Sequence, residues 1–222
     1  MSAAARRAAT FAWAAVVALR GALPVAAQTE TADPHAAHRA AVAAGEQTAP
    51  GAPVQERQRL EIPDVEVLDQ EGRRLRFASD LVAGRLVAIH FIFTNCTTIC
   101  PPLAATFASL RRLLGERAGR DVFLVSVSVD PANDTPERLA AWAAKFGSGP
   151  GWTLVTGEPD DITRLLKALG AYTADRNDHP PLVLIGNPQG EWTRAYGLAA
   201  PKKIAAAIDA MAVPAAAPQS PQ

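Results

Sequence analysis

The chain has 222 residues, with 22 Lys and Arg balanced by 22 Asp and Glu and only two cysteines. Charge balance denies nucleic acid a basic face, and two cysteines are too few for a disulfide scaffold. Loss of the first 27 residues removes Arg6, Arg7 and Arg20 and no acid, which leaves 19 basic residues against 22 acidic ones.

At the N-terminus, Arg6-Arg7 precede the apolar stretch Ala8 to Leu19, and Val25-Ala26-Ala27 offers a small-residue cleavage site. Residues 1–27 therefore read as a secretory signal cut after Ala27, in a stretch too short to span a bilayer. The alternative is an uncleaved anchor over residues 8–27. In either case the protein is exported to the periplasm, free or held at the outer face of the inner membrane. Residues 28–60 are rich in Ala, Gln, Thr and Pro with little large apolar content, and are expected to form a flexible tether. His35 and His38 in this tether have the spacing of a weak metal antenna only if the segment turns helical. Residues 61–212 hold one domain's worth of core, and residues 213–222 are expected to be a disordered tail.

Within the domain, strand and helix periods alternate. Val65 to Leu68, a turn at Glu71-Gly72 and Leu75 to Phe77 predict an N-terminal β-hairpin. Leu86 to Phe93 is a continuous apolar run, the pattern of a buried central strand. Leu103, Phe107, Leu110 and Leu114 then form a helical apolar stripe, with Arg111, Arg112, Glu116 and Arg117 on the solvated side. Val122 to Val129 is a second buried strand. Thr135-Pro136 reads as an N-cap and first helical residue, opening a helix striped by Leu139, Trp142 and Phe146. A strand from Trp152 to Val155, a helix with Ile162, Leu165, Leu166 and Leu169 inward, strands Leu182 to Ile185 and Trp192 to Tyr196, and a helix from Pro201 complete the domain. This alternation predicts an α/β fold with a central mixed, mostly parallel sheet flanked by helices.

Both cysteines fall in the turn after the central strand, as Cys96-Thr97-Thr98-Ile99-Cys100-Pro101. Proline opens a helix there, so the two thiols are expected at its positive end, on one face, and more acidic than free cysteine. Helical Cα atoms four apart are about 6 Å from each other, within reach of a disulfide. The pair can cycle between dithiol and disulfide, or hold a soft cation such as Cu(I), or Zn(II) with further ligands. A strand leading into such a cysteine turn is the arrangement of the thioredoxin-like fold, in which the loop bearing His179 lies beside the cysteine loop. Two thiolates and an imidazole suit copper in either oxidation state. His90, mid-strand with apolar neighbours, reads as a satisfied core histidine.

Three ordered segments then resemble one family. Thr94-Asn95-Cys96-Thr97-Thr98-Ile99-Cys100-Pro101 is similar to the T-x-C-x-x-x-C-P signature of the SCO/SenC proteins. Ser128-Val129-Asp130-Pro131-Ala132-Asn133-Asp134-Thr135-Pro136 resembles their S-x-D-P-x-x-D-T-P segment, and Asp178-His179 with Asn187-Pro188-Gln189-Gly190 resembles their D-H and D-P-x-G elements. The resemblance spans roughly residues 60 to 211. It implies that Cys96, Cys100 and His179 are copper ligands. It further implies a copper-binding assembly factor whose partner is the copper-receiving subunit of a haem-copper (cytochrome c) oxidase, to which it delivers copper or whose binuclear-site thiols it prepares. Another copper chaperone and a thiol reductant are implied as further partners.

Three positions add detail. Asp130 and Asp134 match the acidic segment and are read as structural, Asp134 as a cap for the following helix. Asn187 replaces the family's aspartate, a change expected to affect only its turn. Pro181 stands where thioredoxin-like reductases carry a cis-proline, which favours the alternative of a periplasmic thiol–disulfide reductase with Cys96 as attacking and Cys100 as resolving thiol. A peroxidase of the peroxiredoxin type is the weakest alternative, because the proline that opens its motif is missing.

Overall fold

The computed structural model describes residues 57–212. The leader, most of the tether with His35 and His38, and the tail 213–222 lie outside the described residues.

The strands are β1 (Gln58–Arg59), β2 (Glu66–Asp69), β3 (Arg74–Arg76), β4 (Leu86–Ile92), β5 (Val122–Ser128), β6 (Trp152–Thr156), β7 (Leu182–Gly186) and β8 (Glu191–Tyr196). They form one sheet in the order β1-β8-β7-β4-β5-β6-β2-β3. Every residue of β4 is buried, as its unbroken apolar run requires of a strand covered on both faces. The helices are α1 (Cys100–Leu114), α2 (Pro136–Phe146), α3 (Pro159–Leu169) and α4 (Pro201–Ala212). A π-turn, Phe77–Val82, follows β3.

Alternation along β4 divides the core. Ala88 and Ile92 pack with Phe107 and Leu110 of α1, Leu139 and Trp142 of α2, and Ile204 and Ile208 of α4. Val87, Ile89 and Phe91 face Phe77, with Ile162, Leu165 and Leu169 of α3 and Trp192 of β8. The apolar stripes expected for these helices are the buried ones. Thr135 caps α2 by accepting from the Arg138 amide, with Pro136 in the first turn.

Two boundaries differ from the sequence reading. The sheet is mixed, but only β4, β5 and β6 run parallel; β7 joins β4 antiparallel, β8 pairs with β7, and the β2–β3 hairpin attaches antiparallel to β6. The crossovers through α1 and α2 make β4, β5 and β6 parallel, whereas the longer connection through α3 brings the chain into β7 from the opposite end of the sheet and the short turn at 187–190 returns it as a hairpin. In addition, Gln58 and Arg59, assigned to the tether ending at residue 60, pair with Trp192 and Glu191 as an edge strand. Two polar residues carry no alternating apolar pattern, and their order comes from backbone pairing with β8.

Candidate metal and thiol site

The pairing of Leu86–Ile92 with Val122–Ser128, and of His90 with Val183, sets one end of the sheet as the place where three loops meet. The cysteine loop leaves β4, the Asp130 loop leaves β5, and the His179 loop enters β7.

The two cysteines differ more than a shared helix face implies. Only Cys100 lies in α1; Cys96 sits in the preceding turn, where its amide donates to the Phe93 carbonyl at 3.1 Å. The loop folds back so that the Cys100 amide donates to Cys96 Sγ at 3.3 Å, with Thr98 Oγ1 3.8 Å from the same sulfur. Both thiols are free and buried, Cys96 with 6% of its surface exposed and Cys100 with none. Burial pushes the Cys96 thiol up, but hydrogen bonds from Cys100 and Thr98 outweigh it and leave Cys96 more acidic than an ordinary cysteine. Burial first, and then the neighbouring Cys96 sulfur, push Cys100 far up. The expectation of two acidified thiols therefore holds for Cys96 alone: a single first-turn dipole cannot offset full burial, and two thiols in contact do not both ionise readily.

Asp134 anchors the front of the cysteine loop. Its buried carboxylate accepts from the Thr94 amide at 3.1 Å, from Thr94 Oγ1 at 2.6 Å and from Ser128 Oγ at 2.6 Å. Its expected role as helix cap is thus corrected: Thr135 caps α2, and Asp134 turns inward to tie the cysteine loop to β5. Ser128 Oγ also accepts from the Asp130 amide at 3.0 Å.

His179 follows the short 3-10 turn Arg176–Asp178 and is 5% exposed. Its Nδ1 lies 3.0 Å from the Arg176 carbonyl. A carbonyl only accepts, so Nδ1 carries the proton and Nε2 holds the lone pair. Nε2 is buried and has no hydrogen-bond partner among the described residues. Burial lowers the basicity of the ring against the opposing pull of the Arg176 and Phe91 carbonyls. The Phe93 ring meets His179 edge-on, with centroids 6.0 Å apart, while the Phe93 backbone carbonyl accepts from the Cys96 amide.

Arg176 and Phe93 carried no signal in the sequence. Arg176 Nη1 lies 3.0 Å from Asp130 Oδ1, and its guanidinium carbon 5.7 Å from the centre of the Phe93 ring. The Asp130 carboxylate also accepts from Asn133 Nδ2 at 2.9 and 3.1 Å. A lone arginine in a polar loop looks the same in sequence whether solvated or engaged.

The remaining candidates are placed plainly. His90 is fully buried, stacked on Phe107 at 3.8 Å, with Nε2 2.6 Å from Ser126 Oγ, and that oxygen accepts from Trp152 Nε1; His90 Nδ1 has no hydrogen-bond partner among the described residues, so the expected satisfied core histidine is satisfied at one nitrogen only. Asn187 bonds only within its own turn, accepting from the Gln189 and Glu191 amides and donating to the Glu191 carboxylate. Pro181 immediately precedes β7, and its carbonyl accepts from the Gly197 amide.

The loops thus bring two soft thiols and an orphaned imidazole nitrogen to one end of the sheet, a donor set that suits a soft cation. Among the described residues, no three His, Cys, Asp or Glu side chains stand close enough together to hold a metal ion. No helix of the described residues is long and apolar enough to cross a membrane.

The chain is similar to known proteins over the described fold. The SCO1 protein homologue of Bacillus subtilis is 39% identical over 90 residues, 40% of this chain and 45% of that protein. A Stutzerimonas stutzeri protein described as copper-binding is 34% identical over 112 residues, 49% of this chain and 52% of that protein. The matches therefore span about half the length of these curated relatives. The solved structure of BsSco, a member of the Sco family of cytochrome c oxidase assembly proteins in which a disulfide switch was identified, is 26% identical with a TM-score of 0.60 and covers 71% of this chain and 96% of that one. The family model for SCO1/SenC matches residues 55–212, the whole of the described fold, and the chain belongs to the SCO1/SenC family.

Proposed function

We propose that the protein is a copper carrier in which Cys96, Cys100 and His179 take up the ion, and that it delivers copper to, or prepares the thiols of, the binuclear site of a haem-copper oxidase. The observation that carries this reading is His179 Nε2: buried, unprotonated and unpartnered, on the loop beside two free thiols. The copper-binding description of the Stutzerimonas relative and the oxidase-assembly description of BsSco support the cargo and the recipient. The three donors are not gathered as they stand, so loading draws the His179 and cysteine loops together around the ion. Copper is cargo here. Transfer is ligand exchange, in which thiolates or imidazoles of the recipient displace the three donors in turn, and no covalent bond within the chain is made or broken. A leader over residues 1–27 places this activity in the periplasm.

The test is anaerobic Cu(I) titration of the reduced chain against a competing chelator, with Cu(II) loading followed in the visible spectrum. Tight one-to-one binding and a thiolate-to-copper charge-transfer band are expected, both largely lost in His179→Ala while the Cys96–Cys100 couple keeps its redox behaviour. Copper retention in His179→Ala equal to that of the parent removes His179 from the ligand set.

The contrast between the thiols favours a second reading, a thiol–disulfide reductase. An acidified Cys96 with slight exposure suits attack on a partner disulfide, and a buried, protonated Cys100 suits resolution of the mixed disulfide. Failure to compete with the chelator, with rapid cycling of the pair, selects this reading.

A further inference from the structure

Arg176 touches both loops of the site. Its guanidinium bonds Asp130, whose side chain is 6% exposed and already engaged by Asn133; the Arg176 side chain itself is 42% exposed. The same guanidinium lies beside the Phe93 ring, which also meets the His179 ring, and the Phe93 backbone carbonyl accepts from the Cys96 amide. The Arg176 backbone carbonyl accepts the hydrogen bond from His179 Nδ1–H. We propose that Arg176 is a positioning residue: braced on Asp130, it presents its carbonyl to His179 so that the imidazole is held with Nε2 as the free ligating atom. This rests on the reading of His179 as a ligand.

A histidine that binds metal through one nitrogen needs its other N–H fixed, because the hydrogen bond sets both tautomer and ring direction. The Arg176 carbonyl supplies that bond from a one-turn 3-10 segment that Asp175 closes, its side chain accepting from the Asn177 amide and side chain at 2.8 Å and its carbonyl from the Asp178 amide at 3.0 Å. The ion pair to Asp130 at 3.0 Å ties this closed turn to the loop that leaves β5. Without the brace the turn shifts as a unit, its carbonyl moves off Nδ1 and the ring samples both tautomers. Because the Asp130 end of the pair is nearly buried, Arg176→Gln should also lower the melting temperature, and the tautomer is the readout that separates positioning from a purely structural role.

The experiment labels histidine nitrogens in the full chain and reads the His179 tautomer in metal-free protein by long-range proton–nitrogen correlation. The parent should show protonated Nδ1 and bare Nε2. Arg176→Gln should show a mixture of tautomers, Arg176→Lys should restore much of the parental signal, and Asp130→Asn, which removes the brace from its other end, should match Arg176→Gln. In the chelator competition, Arg176→Gln should retain Cu(I) about tenfold less well than the parent, the size typical of lost partners behind a metal-bound histidine. A protonated Nε2 in the parent, or tautomer and copper retention both unchanged in Arg176→Gln, overturns the assignment. If copper retention proves independent of His179, the proposed function fails, while the tautomer comparison still decides the role of Arg176.

Discussion

Cys96 and Cys100 stand four residues apart, one in the turn before α1 and the other at its first position, yet sit in opposite electrostatic surroundings. Because amides and a hydroxyl point at Cys96 while Cys100 is sealed under the helix, an alkylating reagent at neutral pH should modify Cys96 well before Cys100. Peptide mapping of partially alkylated protein checks this, and preferential labelling of Cys100 contradicts the arrangement. His90 makes a second prediction at this scale. Burial lowers its pKa from 6.5 to about 3, with a smaller push from His179. The unfolded chain therefore binds a proton that the folded chain refuses, so the stability present above pH 6.5 is lost as the pH falls toward 3. Each unit costs about 1.4 kcal/mol within that window. Urea unfolding between pH 7 and pH 5 should show this slope, and His90→Gln should flatten it, because glutamine keeps a hydrogen-bonding reach to Ser126 without titrating.

At the level of elements, the site depends on how loops leave the strands. β4 delivers the cysteine turn, and Asp134 ties that turn to β5 through Thr94 and Ser128. The family segment around Asp130 and Asp134 was legible, but its work was not. Which face a short acidic loop presents depends on the neighbouring strand, and a carboxylate four residues along the loop can cap a helix or turn inward with equal local sense. The β7–β8 hairpin shows the same dependence on contact. Gly186 lies against the Trp192 ring, where a Cβ would come 2.7 Å from ring carbon. Trp192 is a buried, rigid side chain, so Gly186→Ala should destabilise the fold by about 1–3 kcal/mol. The measurement is a lower urea midpoint with an unchanged m-value.

For the molecule as a whole, the mixed sheet ends at β1, an edge strand held by pairing with β8 and by the Arg57–Glu191 ion pair at 3.2 Å. A chain starting at residue 61 loses both. Compared with a chain starting at residue 57, it should be about 1–2 kcal/mol less stable, from a few partly exposed hydrogen bonds. That loss corresponds to a melting temperature lower by several degrees, and equal melting temperatures would show that β1 contributes nothing.

The sequence by itself determined the order and type of nearly every element, because buried strands and amphipathic helices write their burial as periodicity along the chain. It also determined the cysteine pair and, through three spaced motifs, the family, and it marked out His179 as a candidate. The tertiary structure alone decided that the sheet is parallel only over β4 to β6, that residues 58–59 join it, that the two thiols are unequal, and that Arg176 stands behind His179. Periodicity reports how each segment meets the core. Strand direction, the depth of a thiol and the partner of a loop arginine are set by residues distant in sequence, and no local pattern records them.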